Sequence, residues 1–428
     1  MGKYDALFTN VILPKMFVVR QSFPSDHIGD ISAAVQNEII SSGCLDQVKG
    51  RTVAVAVGSR GIKNLGIIVK VTVDQLQKSG ASVFIVPAMG SQGGAVAENQ
   101  SEMLAHLGID EKSMGVPVKS TMDTVEIART IDNEPVYFDA YAASADYTVS
   151  IVRIKPHTSF RGKYESGVVK MNVIGLGNQK GADACHHLGM HVMGQSLERF
   201  GQASIGASNL LFSVAAVENA YDETCIIKAI PRERVLEEEP SLLSLARERM
   251  PALPAENLDL LIVDEMGKNI AGTGVDSNIV QRFTSPHMQG RAIAKCISVL
   301  DLTRETDGAA SGMGLVNFAT RRFYQKIDFF RTYPNAITSR TPMAVRMPII
   351  MENDYDAIRA GIVAAYGVDY ANPRMIRIKN TMRLDRMLVS EALLPEIEAN
   401  ERAIVDYEPV PFAFDGDGNL LDMNSSAV

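Results

Sequence analysis

Two apolar runs, each closed by a glycine-rich turn and each followed by a helical stretch, constrain this chain most. Residues 52–59 read TVAVAVGS and run into Gly58-Ser59-Arg60-Gly61, ahead of helical patterning over 65–79. Residues 82–89 (SVFIVPAM) repeat the move into Gly90-Ser91-Gln92-Gly93-Gly94, ahead of a helix over 95–107. Unbroken apolar runs are the mark of strands buried on both faces, and strands alternating with helices pair in parallel. Further strands are expected at 146–154, 258–263, 292–302 and 375–378, with late helices at 354–366 and 387–399. The class expected is α/β.

A chain of 428 residues is too long for one ordinary domain. Residues 230–257 place Pro231, Pro240, Pro251 and Pro254 among many charges, which reads as surface helix and linker. The segment LDLLIVDEMG then opens a second α/β unit. The expected division is 1–260 and 261–405, two α/β domains with mostly parallel sheets and a cleft between them. The polar tail 406–428 is expected to return to the first domain.

A net charge of −8 argues against a nucleic-acid partner, which usually meets a basic field. Cys44, Cys185, Cys225 and Cys296 are scattered with no CxxC pair, as in reduced cytosolic proteins. The start MGKYDALFTNVILPKMF lacks the order of a secretory leader, and no apolar run reaches the ~18 residues of a membrane span. A cytoplasmic protein without a membrane segment is expected.

Several residues are candidates for chemistry. The two glycine turns lie where strands end, and open α/β sheets bind ligands there. Backbone N–H groups at such turns suit an anion, and plain turn glycines fit equally well. Residues 153–170 (RIKPHTSFRGKYESGVVK) gather Arg153, Lys155, His157, Arg161, Lys163 and Lys170 after a probable strand. His157 in that setting is either structural or a general acid–base. Cys185-His186-His187 precedes His191; His187 and His191 share a helix face as zinc pairs do, without the Glu of HExxH. Asp276, Asn278, Gln281 and Arg282 offer carboxylate-binding groups, and residues 307–314 with Arg321 and Arg322 read as a loop and solvated helix start.

Together these segments resemble the nickel-dependent lactate racemase superfamily of 2-hydroxyacid racemases and epimerases. The resemblance runs from about residue 50 to 330 and rests on PAMGSQGGAVAE, RIKPHTSFRGKYESGVVKMNVIGLG and GADACHHLG, closest to the long branch of that superfamily. It implies a nickel-pincer nucleotide, tethered through a thioamide by a lysine and completed at nickel by a histidine. Lys170 stands at the tether position, and His186, 186 − 170 = 16 residues on, has the family's lysine-to-histidine spacing. Residues 1–260 would then be the cofactor-binding domain. His157 matches one catalytic histidine, and Gly58, Ser59 and Arg60 match the nucleotide-binding turn. Asp276, Asn278 and Gln281 match a DxNIxQ segment over the substrate carboxylate. Thr284 stands where the family has a lysine, so Arg282 is the expected substitute, beside Arg60 and Gln281.

One departure bears on mechanism. Gln92 occupies the turn where the family carries its second catalytic histidine, and an amide exchanges no proton near neutral pH. The implied activity is racemisation or epimerisation of a 2-hydroxy acid by reversible hydride transfer. Spare cations (Arg153, Lys155, Arg161, Lys163) and small polar residues (Thr158, Ser159, Ser166) lean toward a larger acid, such as an aldonic acid. The alternative is a non-catalytic protein of the same fold that binds a sugar acid or a nucleotide. The sequence leaves oligomeric state open.

Overall fold

A computed structural model describes residues 4–58, 62–285, 288 and 290–421. The chain forms two compact units: residues 24–250, and the segments up to 23 and from 251. Both are α/β, with mostly parallel sheets.

The first strand, β1 (Met16–Gln21), belongs to a sheet completed only by the later segment. Residues 24–250 contribute β2 (Thr52–Val57), β3 (Ser82–Pro87), β4 (Thr124–Arg129), β5 (Pro135–Asp139), β6 (Tyr147–Arg153), β7 (Leu210–Glu218) and β8 (Thr224–Pro231). Their main sheet has the order β3-β2-β6-β7-β8. Neighbours are parallel except β7 and β8, and β4 with β5 forms a separate antiparallel hairpin.

Alternation along β2 explains what packs where. Val53, Val55 and Val57 face one core, which includes Ile68, Val69, Val73 and Leu76 of the helix Leu65–Lys78. Each such buried aliphatic side chain is worth about 1.5–3 kcal/mol, against about 1 kcal/mol for a helix cap. Packing therefore holds this helix, whose left-handed N-cap Asn64 makes no side-chain cap bond. Ala54 and Ala56 face the other way, toward Phe84, Val86, Ala88, Phe138 and Leu176, with Met171 packed against them. Two methyl-sized side chains on that face let the Lys170-bearing segment come close to the sheet.

The later segment supplies β9 (Leu258–Met266), β10 (Ala294–Leu302), β11 (Phe318–Thr320), β12 (Ile349–Met351), β13 (Met375–Asn380), β14 (Arg383–Ser390) and β15 (Ala403–Val410). The sheet order is β12-β11-β10-β9-β13-β14-β1-β15. It is parallel from β12 to β13 and antiparallel beyond.

Three expectations differ from this architecture. Residues 1–23 join the unit of residues 251 onward, because β1 fills the gap between β14 and β15. Residues 403–410 pair with β1 inside that same sheet, and the described part of the tail beyond them belongs to that unit, not to the 24–250 unit. Residues 387–399 do not form one helix: the first part completes β14, and a short helix, Leu394–Glu398, starts only where Pro395 sits in its first turn. Residues 230–257 do hold the expected helix, and it is more buried than a surface helix. The helix Val235–Glu248 buries Val235, Glu239, Leu242, Leu243 and Ala246, with Pro240 inside it. Pro240 cannot donate to the carbonyl of Leu236, and the buried Tyr164 hydroxyl donates to that oxygen instead, at 2.8 Å.

Candidate functional site

The site is built where β2, β3 and β6 end. The loop after β6 is closed by two backbone bonds between Lys155 and Ser166, at 3.1 and 3.2 Å. Glu165 organises its interior. Its side chain is fully buried, accepts the backbone N–H of His157 at 2.6 Å and of Gly162 at 3.3 Å, and pairs with Arg247 at 2.6 Å. A carboxylate removed from water needs such partners to be tolerated.

His157 is half-buried and lies against Phe160, with ring centroids 4.3 Å apart. Its Nδ1 accepts the backbone N–H of Ser159 at 3.1 Å. A backbone N–H only donates, so the neutral ring carries its proton on Nε2. The ring therefore presents an N–H donor at rest, and Nδ1 becomes a base once the Ser159 contact is released.

Lys170 ends the short helical turn Val168–Lys170, which continues as a π-helix, Met171–Gly175. π segments are rare and recur at functional places. This one is wedged against both glycine turns. Gly90 donates to the Gly175 carbonyl at 3.0 Å, and a Cβ on Gly90, at φ +61°, would lie 3.0 Å from the Ile174 oxygen. A Cβ on Gly58 would lie 3.0 Å from the Met171 methyl. The glycines thus serve backbone approach, whatever else binds there. Asn172 is fully buried in the same segment, and both atoms of its amide lack a hydrogen-bond partner. Each orphaned polar group costs about 1–3 kcal/mol.

Gln92 is exposed, in the turn after β3, and its carbonyl accepts from the buried Gln100 side chain, which also bonds Gly90. Cys185 and His186 end the helix Asn178–His186. Burial pushes the Cys185 thiol up to about 12, and the nearby Lys170 charge pulls the other way. His186 is half-buried, while His187 and His191 are exposed. Among the described residues no group of three or more His, Cys, Asp or Glu could hold a metal ion. Ser59 and Arg60 lie outside the described residues.

The other expected residues sit in the unit of residues 251 onward. Asp276 caps the helix Ser277–Val280, its Oδ1 accepting from Asn278 at 2.9 and 3.0 Å. Gln281 is held in the left-handed region, φ +53°, with its side-chain amide donating to the Asn278 carbonyl. Such backbone is costly for a non-glycine residue. Arg282 corrects an expectation. Its two terminal nitrogens donate to Leu315 O (3.0 Å), Asn317 Oδ1 (2.6 Å), Ala294 O (2.8 Å) and Lys295 O (2.7 Å). Burial holds its pKa below the usual arginine value. This guanidinium ties strands together and has no fork left for a substrate carboxylate.

Three of the four cations thought spare are also engaged. Arg153 pairs with Glu218 at 2.6 Å, Arg161 with Glu165 at 3.5 Å, and Lys163 lies 3.9 Å from Glu198.

No protein-family model matches this chain, and no curated protein does. Among solved structures it is similar to the lactate racemase apoprotein of Thermoanaerobacterium thermosaccharolyticum. That match has 13% identity and a TM-score of 0.47, covering 91% of this chain and 96% of that one. It is also similar to a protein of Thermotoga maritima, at 13% identity and a TM-score of 0.43, covering 79% and 82%. What either of those proteins does is a statement about them.

The sequence did not point to Glu165, Tyr164, Glu239 or Arg247, which hold the loop and the Lys170 turn. Glu239 is fully buried, its Oε2 accepts the Val169 N–H at 2.9 Å, and burial raises its carboxyl to about 7. A faint signal was present: LEEEPSLL places an acid at the apolar spacing of its helix, beside a proline.

Proposed function

We propose that this chain is an isomerase, a racemase or epimerase of 2-hydroxy acids, and that it holds a nickel-pincer nucleotide at Lys170. One observation carries the reading. Lys170 opens directly into the π-helix, whose Met171, Ile174 and Gly175 pack against Gly58 and Gly90 at the carboxyl ends of β2 and β3, and His186 follows on the next helix. Ligands of open parallel sheets bind at such ends. The donor set suits the group: one amine for a covalent tether, and one imidazole beside soft donors for nickel. When bound, the nucleotide would supply a pyridinium carbon that takes and returns a hydride.

The chain's own residues would do the rest. The Lys170 amine holds the cofactor, and a ring nitrogen of His186 completes the nickel coordination. Gly58 and Ser59 give backbone room for the nucleotide, and Arg60 meets its anionic groups. His157 accepts the substrate hydroxyl proton at Nδ1 after releasing Ser159, and the Nδ1–H so formed would steady the keto oxygen until the proton is returned. Gln281 would orient the substrate carboxylate. Gln92 can donate and accept hydrogen bonds but cannot take a proton. The two faces of the substrate are then served unequally, which suits an epimerase of a larger acid such as an aldonic acid. We place this activity in the cytoplasm; among the described residues no helix is long and apolar enough to cross a membrane.

Gln92 also favours a second reading, a sugar-acid or nucleotide binder that has lost catalysis. The test uses full-length protein made together with the cofactor's biosynthetic enzymes, and a panel of 2-hydroxy acids deuterated at Cα. Inversion with deuterium retained in the product is expected, with turnover lost in His157→Ala. Exchange of deuterium into water would refute hydride transfer. Binding without inversion would establish the second reading.

A further inference from the structure

The helix Val235–Glu248 grips the segment leading to Lys170 at three points. Tyr164 donates to Leu236 O, Arg247 pairs with Glu165, and Glu239 accepts from Val169. The third contact is the unusual one. The Lys170 turn begins at Gly167, which has no side chain to cap it. A helix start leaves backbone N–H groups without partners, and ordinarily a Ser, Thr, Asp or Asn just before it would accept them. Here the acceptor comes from a helix about 70 residues away in sequence: Glu239 Oε2 accepts the Val169 N–H at 2.9 Å.

Gly167 makes room for it. A Cβ on Gly167 would lie 2.4 Å from Glu239 Oε1, so any other residue would push the carboxyl away. The arrangement is expensive. Glu239 is fully buried and Oε1 has no hydrogen-bond partner. A leucine there would fill space without the desolvation cost. Retaining a carboxyl is explained by what it does to the turn it caps.

We propose that Glu239 is a positioning residue for Lys170: it caps the Lys170 turn from a neighbouring helix and so fixes the direction from which the Lys170 amine reacts. The proposal rests on the reading of Lys170 as the cofactor-bearing lysine. Lys170 follows Val169 directly, so the capped N–H lies one residue from its Cα. The lysine side chain is long and flexible, and only its root can be fixed by backbone. Misplacing a reacting group by about 1 Å can cost 10²-fold in rate. Glu239 touches neither substrate nor cofactor in this account.

Two readouts on the full-length protein test it. The first is competitive acetylation of the cofactor-free protein with acetic anhydride, read peptide by peptide, with the other lysines as internal controls. The second is covalent cofactor attachment in protein made with the biosynthetic enzymes. Glu239→Leu is expected to raise acetylation at Lys170 alone, as the uncapped turn frays, and to lower attachment about tenfold or more. Glu239→Gln keeps an acceptor at the cap and is expected to restore both. Gly167→Ala displaces the carboxyl without removing it and should behave like Glu239→Leu, which covers the case in which the leucine variant fails to fold. Wild-type acetylation of Lys170 in Gly167→Ala, or failure of Glu239→Gln to rescue, would overturn the proposal. If wild-type protein takes no cofactor at all, the attachment reading fails on its own, and the acetylation readout still decides the positioning role.

Discussion

At the scale of single residues, the type of a side chain says less than what it already touches. Arg282 and Lys170 are both cations, yet one is spent on four oxygen acceptors of its own unit and the other leads into the π-helix that packs against Gly58 and Gly90. Arg282→Lys should therefore act on stability. A lysine cannot reproduce the planar fork, and several buried acceptors would lose their donor. The unfolding free energy of that unit should fall by about 3 kcal/mol, measured by denaturant titration, with ligand affinity of the folded fraction unchanged. A loss of affinity at unchanged stability would return Arg282 to the substrate site. Gly58 and the Gly90 turn were legible in the sequence because local turn chemistry marks them, whereas Lys170 was singled out only by the resemblance to a family. Glu165 and Glu239 were not, since their partners lie far along the chain: Arg247 is 82 residues from Glu165, and Val169 is 70 from Glu239. Acids within charged runs read as solvated until the fold buries them.

At the scale of elements, the strands most readable from sequence were those buried on both faces. β2, β3, β6, β9 and β10 carry the apolar runs that a parallel sheet requires. β14 was not legible. Its sequence RLDRMLVS has good helix formers, and its pairing between β13 and β1 overrides that local preference. The helix Val235–Glu248 was expected only as a surface element, and its buried face was not legible; Tyr164 answers the Leu236 carbonyl orphaned by Pro240 and lets the helix continue. The π-helix after Lys170 has no sequence signal of its own. It follows from close packing against the Ala54 and Ala56 face and the two glycine turns.

At the scale of the whole molecule, the chain crosses between its units twice, and hydrophobic patterning does not reveal which sheet an isolated strand such as β1 will enter. The consequence is testable. A fragment of residues 24–250 has its sheet complete and should unfold cooperatively alone. A fragment from 251 onward lacks the strand between β14 and β15 and should remain unfolded until residues 1–23 are supplied, as followed by circular dichroism. Cooperative folding of the later fragment alone would contradict the role of β1. The functional account is decided most directly by the intact mass of the full chain, with its nickel content, after expression with the cofactor-making enzymes. The account predicts a covalent gain over the 46.5 kDa polypeptide, confined to the Lys170 peptide, with about one nickel per chain and both lost in Lys170→Ala. An unmodified chain without nickel would contradict it.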